Sequence, residues 1–220
     1  MTMVIISNKI KIPTVGMEDD KMTKKEPKEV RIETLLAAAV EEFIEKGYDG
    51  ASVDAIAKKA GVSKGGFYHH FPNKEVLLME ANRKLSEPVA AMAEKAYYNS
   101  SALDGLSIYI REYMEYWCSH QRELSFFFLS MSKALQSDIL MKYYQEYAKE
   151  TTDFFIGIFQ KAVETGEADI PDPVSYGITL MGALDGVLTY SIIHPEEDID
   201  ALSKRIEKIW LDNGRRSCNE

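Results

Sequence analysis

The chain has 220 residues and a mass of 24.9 kDa, with 45% hydrophobic and 28% charged residues, which suits a globular protein with a sizeable core and excludes a disordered or fibrous chain. A formal net charge of -9 excludes a uniformly basic nucleic-acid binder. Two cysteines, Cys118 and Cys218, without CxxC spacing or a histidine cluster, argue against a disulfide framework or a zinc site and for a reducing cytoplasm.

Residues 1–25 mix Lys, Asp, Thr and Pro without periodicity and are expected to form a disordered arm, within which Met17 and Met22 offer later starts. The apolar run Met3 to Ile6 is too short for a signal-peptide core. Helical spacing begins after Pro27, with Ile32, Leu36, Ala39 and Phe43 on one face, and Gly47 is expected to end that helix. Further helices are predicted near 53–60, 64–70, 73–98, 103–119, 122–136, 138–165, 173–193 and 197–212. No stretch alternates as a strand would, so the predicted class is all-α: a three-helix head with a helix-turn-helix, then a helical bundle. The expected division is a head over 26–74 and a body over 75–214.

The head carries its own chemistry. Residues 51–74 hold Lys58, Lys59, Lys64 and Lys74 against Asp54 alone, a local net of +3 that leaves -12 for the rest of the chain. Ser52 can cap one short helix, Gly61 can stop it, and Ser63 can cap a second. Phe67 and Phe71, four apart, are expected to face inward, leaving Lys64, Gly65, Gly66, Tyr68 and His69 on the opposite face. Two short helices joined by a glycine turn form the arrangement in which the second enters the major groove. Adjacent glycines near a helix start destabilise it by roughly 1 kcal/mol each against alanine, which points to close backbone approach to a ligand. Lys74 follows Pro72-Asn73 in a first helical turn, a natural place for a phosphate contact.

These words, A-A-A-V-E-E-F-I-E-K-G-Y, A-S-V-D-A-I-A-K-K-A-G-V-S-K-G-G-F-Y-H-H-F and N-K-E-V-L-L, make residues 31–78 resemble the amino-terminal domain of the TetR/AcrR family of repressors. The resemblance implies that Ser52, Ser63, Lys64, Gly65, Gly66, Tyr68, His69, His70 and Lys74 stand at positions used on DNA. Tyr68 and Lys74 would then meet phosphate, and Lys64 a base edge. Glycine at 66 departs from the Thr, Ser or Leu of many members, which shifts discrimination toward Lys64 and His69. His70 has a second reading, packing against the first helix.

The resemblance further implies a body with a ligand pocket and a dimer interface. Met and aromatic residues are dense between 92 and 159; Met92, Tyr113, Trp117, Phe127, Met131 and Phe155, with Asp185, are the candidate pocket residues for an apolar or aromatic effector. Asp185 stands in the apolar run 174–193, whose length alone allows a membrane span but whose glycines and hydroxyls argue against one. Gly182 and Gly186 with Leu184, and Ile206 and Trp210 from the following helix, are expected at a dimer interface, with a monomer's internal hairpin as the alternative. Pro88, inside 73–98, is expected to kink or split that helix.

No Ser-His-Asp set, phosphate loop, HExxH or EF-hand spacing is present, so neither catalysis, a metal nor a cofactor is expected. The sequence therefore predicts a ligand-responsive repressor that binds palindromic operator DNA as a homodimer, away from membranes. A helical adaptor, or an activator with the same head, is the competing reading.

Overall fold

The computed structural model describes residues 27–212; the arm over 1–25 and Cys218 lie outside them. Among the described residues there are nine α-helices and no strand, followed by a π-helical turn at Lys208–Asp212. The chain divides into two compact units, the first ending at Lys84 and the second beginning at Leu85.

The first unit starts with α1 (Lys28–Gly50), which buries Leu35, Leu36, Ala39 and Phe43. Gly47 takes φ 69° and ψ 170° inside it, so the regular helix breaks there as expected and a further turn runs on to Gly50. In α2 (Val53–Lys59), Ser52 Oγ accepts from the Ala55 N–H at 3.1 Å. Gly61, at φ 68°, closes the helix: its N–H donates to Lys58 O, and Val62 N–H reaches back to Ala57 O. Ser63 Oγ then accepts from Gly66 N–H at 3.0 Å and starts α3 (Lys64–His70). Phe67 and Phe71 are fully enclosed, joining Ile56 of α2 in the core.

Leu77, Leu78 and Ala81, from the first turns of α4 (Lys74–Tyr97), are also fully buried. That packing carries the boundary between units past the expected 74/75 and into the helix itself. Pro88 does not split α4, which is one helix to Tyr97. Pro88 is exposed, on the solvent side of the helix, where the N–H that proline lacks is least missed.

The second unit contains the rest of α4, then α5 (Ala102–Ser119), α6 (Gln121–Ala134), α7 (Asp138–Glu164), α8 (Pro173–Ile193) and α9 (Ile199–Glu207). Ser101, Ser137 and Asp172 cap α5, α7 and α8 through their side chains. Glu167 reinforces the first of these by accepting from the Ala102 and Leu103 N–H groups and the Ser101 hydroxyl. The core of this unit is built from Leu106, Ile110 and Met114 of α5, Phe155 and Phe159 of α7, and Leu184 of α8. At Gly177, α7 and α8 approach so closely that a Cβ would lie 2.8 Å from the Ile156 nitrogen.

Candidate functional site

Four positions of α3 lie open to solvent: Lys64, Gly65, Tyr68 and His69. The inward Phe67 and Phe71 fix this orientation, because helical spacing sends their neighbours to the other face. Tyr68 is 49% exposed with its ring edge against Phe67, so its phenol is held in position on the solvent side of the helix. Lys64 Nζ pairs with Asp54 at 3.0 Å, and this hydrogen-bonded carboxylate raises the lysine pKa. Ser52 and Ser63 use hydroxyl lone pairs as caps, which leaves each hydroxyl proton available to an acceptor outside the chain.

Among the described residues, the two glycines of α3 have no internal cause. Neither has positive φ, and a Cβ at Gly65 would come no nearer than 3.9 Å to anything outside its own helix backbone. At Gly66 the nearest contact would be an ordinary 3.4 Å, to Ser63 Oγ. Gly61, by contrast, is required by its own φ of 68°.

Two expected contacts change character. Lys74 Nζ donates to the carbonyls of Tyr48, at 2.6 Å, and Ala51, at 2.9 Å, and lies 4.3 Å from the Tyr48 ring centroid. Its ammonium thus satisfies carbonyls at the end of α1, which the expectation of a phosphate contact had not foreseen. His70 is only partly exposed, and its Nδ1 is buried without a hydrogen bond. Burial, then the charges of His69, Lys28 and Arg31, lower its pKa, so it favours the neutral ring. Packing against the first helix describes this geometry better than an exposed phosphate contact.

In the second unit, five of the seven expected pocket residues join one cluster. Tyr113 and Trp117 lie on one face of α5, Trp117 is 6.0 Å from Phe127, and Tyr113 O–H donates to Asp185 Oδ1 at 3.4 Å. Phe155 connects to it through Tyr109, at 5.7 Å, and Tyr109 stacks on Tyr113 at 5.5 Å. Met92 and Met131 are half-buried and stand outside this chain of ring contacts. Tyr109 and Tyr147 belong to the cluster although the sequence did not single them out. Tyr109 had a signal, since it stands one helical turn before Tyr113.

Residues 35–81 match the family described as "Bacterial regulatory proteins, tetR family". Over that segment the chain is similar to the TetR family. The Fatty acid metabolism regulator protein of Bacillus subtilis is 26% identical over 86% of this chain and 97% of its own length. The Transposon Tn10 TetC protein of Escherichia coli is 33% identical over 37% of this chain, a match that spans only 42% of TetC. Among solved structures, FadR from Bacillus subtilis in complex with stearoyl-CoA superposes with a TM-score of 0.67 at 24% identity, covering 81% of this chain and 97% of that one. At that identity the likeness is one of fold.

The bundle of the second unit has an open apolar face on α8. Val174, Ile178 and Ile193 are 47%, 49% and 68% exposed, and they share a side with Gly182 and Gly186. A Cβ at either glycine would meet nothing within 4 Å. Trp210 is half-buried against Tyr176, 5.9 Å away. Leu184 and Ile206, expected at a dimer interface, are only 2% and 3% exposed and belong to the unit's own core, so no surface remains on them for a partner. The small residues of α8 thus serve two sides: Gly177 packs within the chain, while Gly182 and Gly186 face outward. By length and composition α8 could cross a membrane, with mean hydropathy 1.3 over its best window, of which 28% is buried.

Proposed function

We propose that the chain is a ligand-responsive transcriptional repressor that binds palindromic operator DNA as a homodimer in the cytoplasm and is released by a small apolar or aromatic molecule. The observation that carries this reading is the glycine pair of α3: it weakens a seven-residue helix, nothing among the described residues calls for it, and it lies beside the exposed Lys64, Tyr68 and His69. Bare backbone on that face lets a short helix press closely against a duplex. The Tyr68 and serine hydroxyls supply phosphate contacts, and Lys64 a base contact.

The open face of α8 supports the homodimer. Glycines at its centre permit close helix approach, and twofold symmetry matches a palindrome. The relatedness to a protein named as a fatty acid metabolism regulator supports an effector with a large apolar part. For coupling, α4 contributes residues to both units, so a ligand that displaces its second half acts on the helix that also carries Leu77 and Leu78 of the head. A tenfold loss of operator affinity needs only about 1.4 kcal/mol of coupling.

The test is titration of a fragment of the adjoining promoter region at several salt concentrations. Retardation with a negative log–log salt slope, at a stoichiometry of two chains per site, is the expected result. Absence of retardation at low salt would favour the helical adaptor, and reporter output that falls on deletion of the gene would favour an activator.

A further inference from the structure

The second unit holds a half-buried carboxylate, Asp185, that no described residue neutralises. Asp185 stands on α8 among the phenols of Tyr109, Tyr113 and Tyr147, each close enough to feel its charge. One side-chain hydrogen bond reaches it, from Tyr113, and at 3.4 Å it is long. Among the described residues no Lys, Arg or His forms an ion pair with it, and one helical turn away on either side α8 offers Met181, Leu188 and Thr189. Burial, only partly offset by that hydrogen bond, raises its carboxyl to about 6, so at neutral pH it is still mostly ionised. An ionised carboxylate partly shielded from water and without a counter-ion among the described residues is a destabilising arrangement, and such groups concentrate at functional sites.

The surroundings mix core and partly exposed groups: Tyr109, Tyr113 and Trp117 are buried, while Asp185 and Tyr147 are half-buried. Tyr147 and Asp185 each keep some solvent-accessible area, so a ligand can reach them from the surface. Ser86 Oγ, from α4, is buried with no well-formed hydrogen bond and only a loose approach to the Tyr147 hydroxyl. Behind Asp185 the buried aromatic rings of Tyr109, Tyr113 and Trp117 follow one another at helical spacing along α5. A carboxylate, π faces and a spare hydroxyl together suit an organic cation.

We propose that the effector is a lipophilic cation, an amine or quaternary onium group attached to an apolar or aromatic body, with Asp185 as its counter-ion and the rings of Tyr109 and Tyr113 flanking it. The inference rests on the ligand-responsive reading and narrows it. A fatty acyl chain at this position would leave Asp185 half-buried and still without a counter-ion.

Two probes of nearly equal size and opposite charge isolate the electrostatic part: tetraphenylphosphonium and tetraphenylborate. Calorimetric titration of the full-length protein should show the phosphonium binding at least tenfold more tightly. Asp185→Asn should abolish that preference, Asp185→Glu should keep most of it, and circular dichroism establishes that both variants are folded. Equal affinity for the two ions, an unchanged preference in Asp185→Asn, or no phosphonium binding overturns the proposal. Operator retardation by the same preparation distinguishes failure of the cation from failure of the repressor. A protein that binds the fragment and releases it with palmitoyl-CoA, but ignores the phosphonium, loses the cation proposal and keeps the repressor reading. A protein that binds the phosphonium but no DNA keeps the cation site and loses the repressor.

Discussion

Replacing Lys74 by alanine is expected to destabilise the head, beyond any effect on DNA. Its ammonium donates to the carbonyls of Tyr48 and Ala51 at 2.6 and 2.9 Å and stands 4.3 Å from the Tyr48 ring centroid. Hydrogen bonds to a charged group contribute about 1.5–3 kcal/mol each, and an exposed cation–π contact about 0.5–1 kcal/mol. Because the ammonium is only half-buried, water replaces part of what is lost, so a net destabilisation of about 2–3 kcal/mol is the reasonable figure. For a domain of this size that lowers Tm by on the order of 10 °C. Lys74→Met, which keeps the apolar stem, should behave much the same. The assay pairs thermal unfolding with the salt dependence of operator binding. An unchanged Tm together with a slope reduced by about 0.9, the signature of one lost phosphate contact, would falsify the structural assignment and restore the sequence-based one.

Three other substitutions test the geometry. Gly65→Ala should leave the fold intact or stabilise it by up to about 1 kcal/mol, since the Cβ meets nothing nearer than 3.9 Å, while operator affinity falls at least tenfold. Equal affinity in the two proteins would remove the main support for close approach at α3. Gly182→Glu should leave the subunit folded, because its Cβ points into open space, yet shift sedimentation from dimer to monomer; a variant that stays dimeric refutes the α8 interface. Asp185→Asn should stabilise the protein at pH 7 by about 2–3 kcal/mol, given a carboxyl raised from 3.8 to about 6. The sign is that of a raised acid: the folded state takes up its proton first as pH falls through about 6. The wild type therefore gains stability between about 6 and 3.8, and its deficit against the variant disappears below that window. Urea titrations at pH 7 and pH 4 that show the same difference would contradict this.

The helices were legible because their ends are marked locally. Ser52, Gly61 and Ser63 act within a few residues of themselves, and the observed α2 and α3 follow from them. The inward Phe67 and Phe71 were legible for the same reason, a fixed spacing on one helix. What spacing cannot carry is a partner far along the chain. Lys74 reaches back to residues 48 and 51, and nothing within 74–78 announces that its charge is already engaged. Nor does a row of small residues say which side each faces: Gly177 meets Ile156, while Gly182 and Gly186 face open space. Leu184 lies between those two glycines and is nevertheless core, because each residue rotates the face by about 100°. Pro88 leaves α4 unsplit, and its own exposure on the solvent side is something the sequence spacing does not announce.

Internal pairing takes up much of the positive charge of the head. Of the four lysines that give residues 51–74 a net of +3, Lys59 faces Glu41 at 3.1 Å and Glu45 at 3.5 Å, Lys64 is paired with Asp54, and Lys74 is bound to carbonyls. A duplex approaching α3 would therefore exchange one anion for another at Lys64, displacing Asp54 in favour of a phosphate or a base edge. Exposed pairs of this kind are weak and exchange readily, so Asp54 does not prevent binding, but it removes most of the lysine's long-range attraction for DNA of any sequence. On the proposed reading this favours sequence-dependent contacts over non-specific ones. Asp54→Asn should then strengthen binding to random duplex more than to operator and steepen the salt slope for both. If random and operator duplex gain equally, Asp54 acts on overall charge alone and has no part in discrimination.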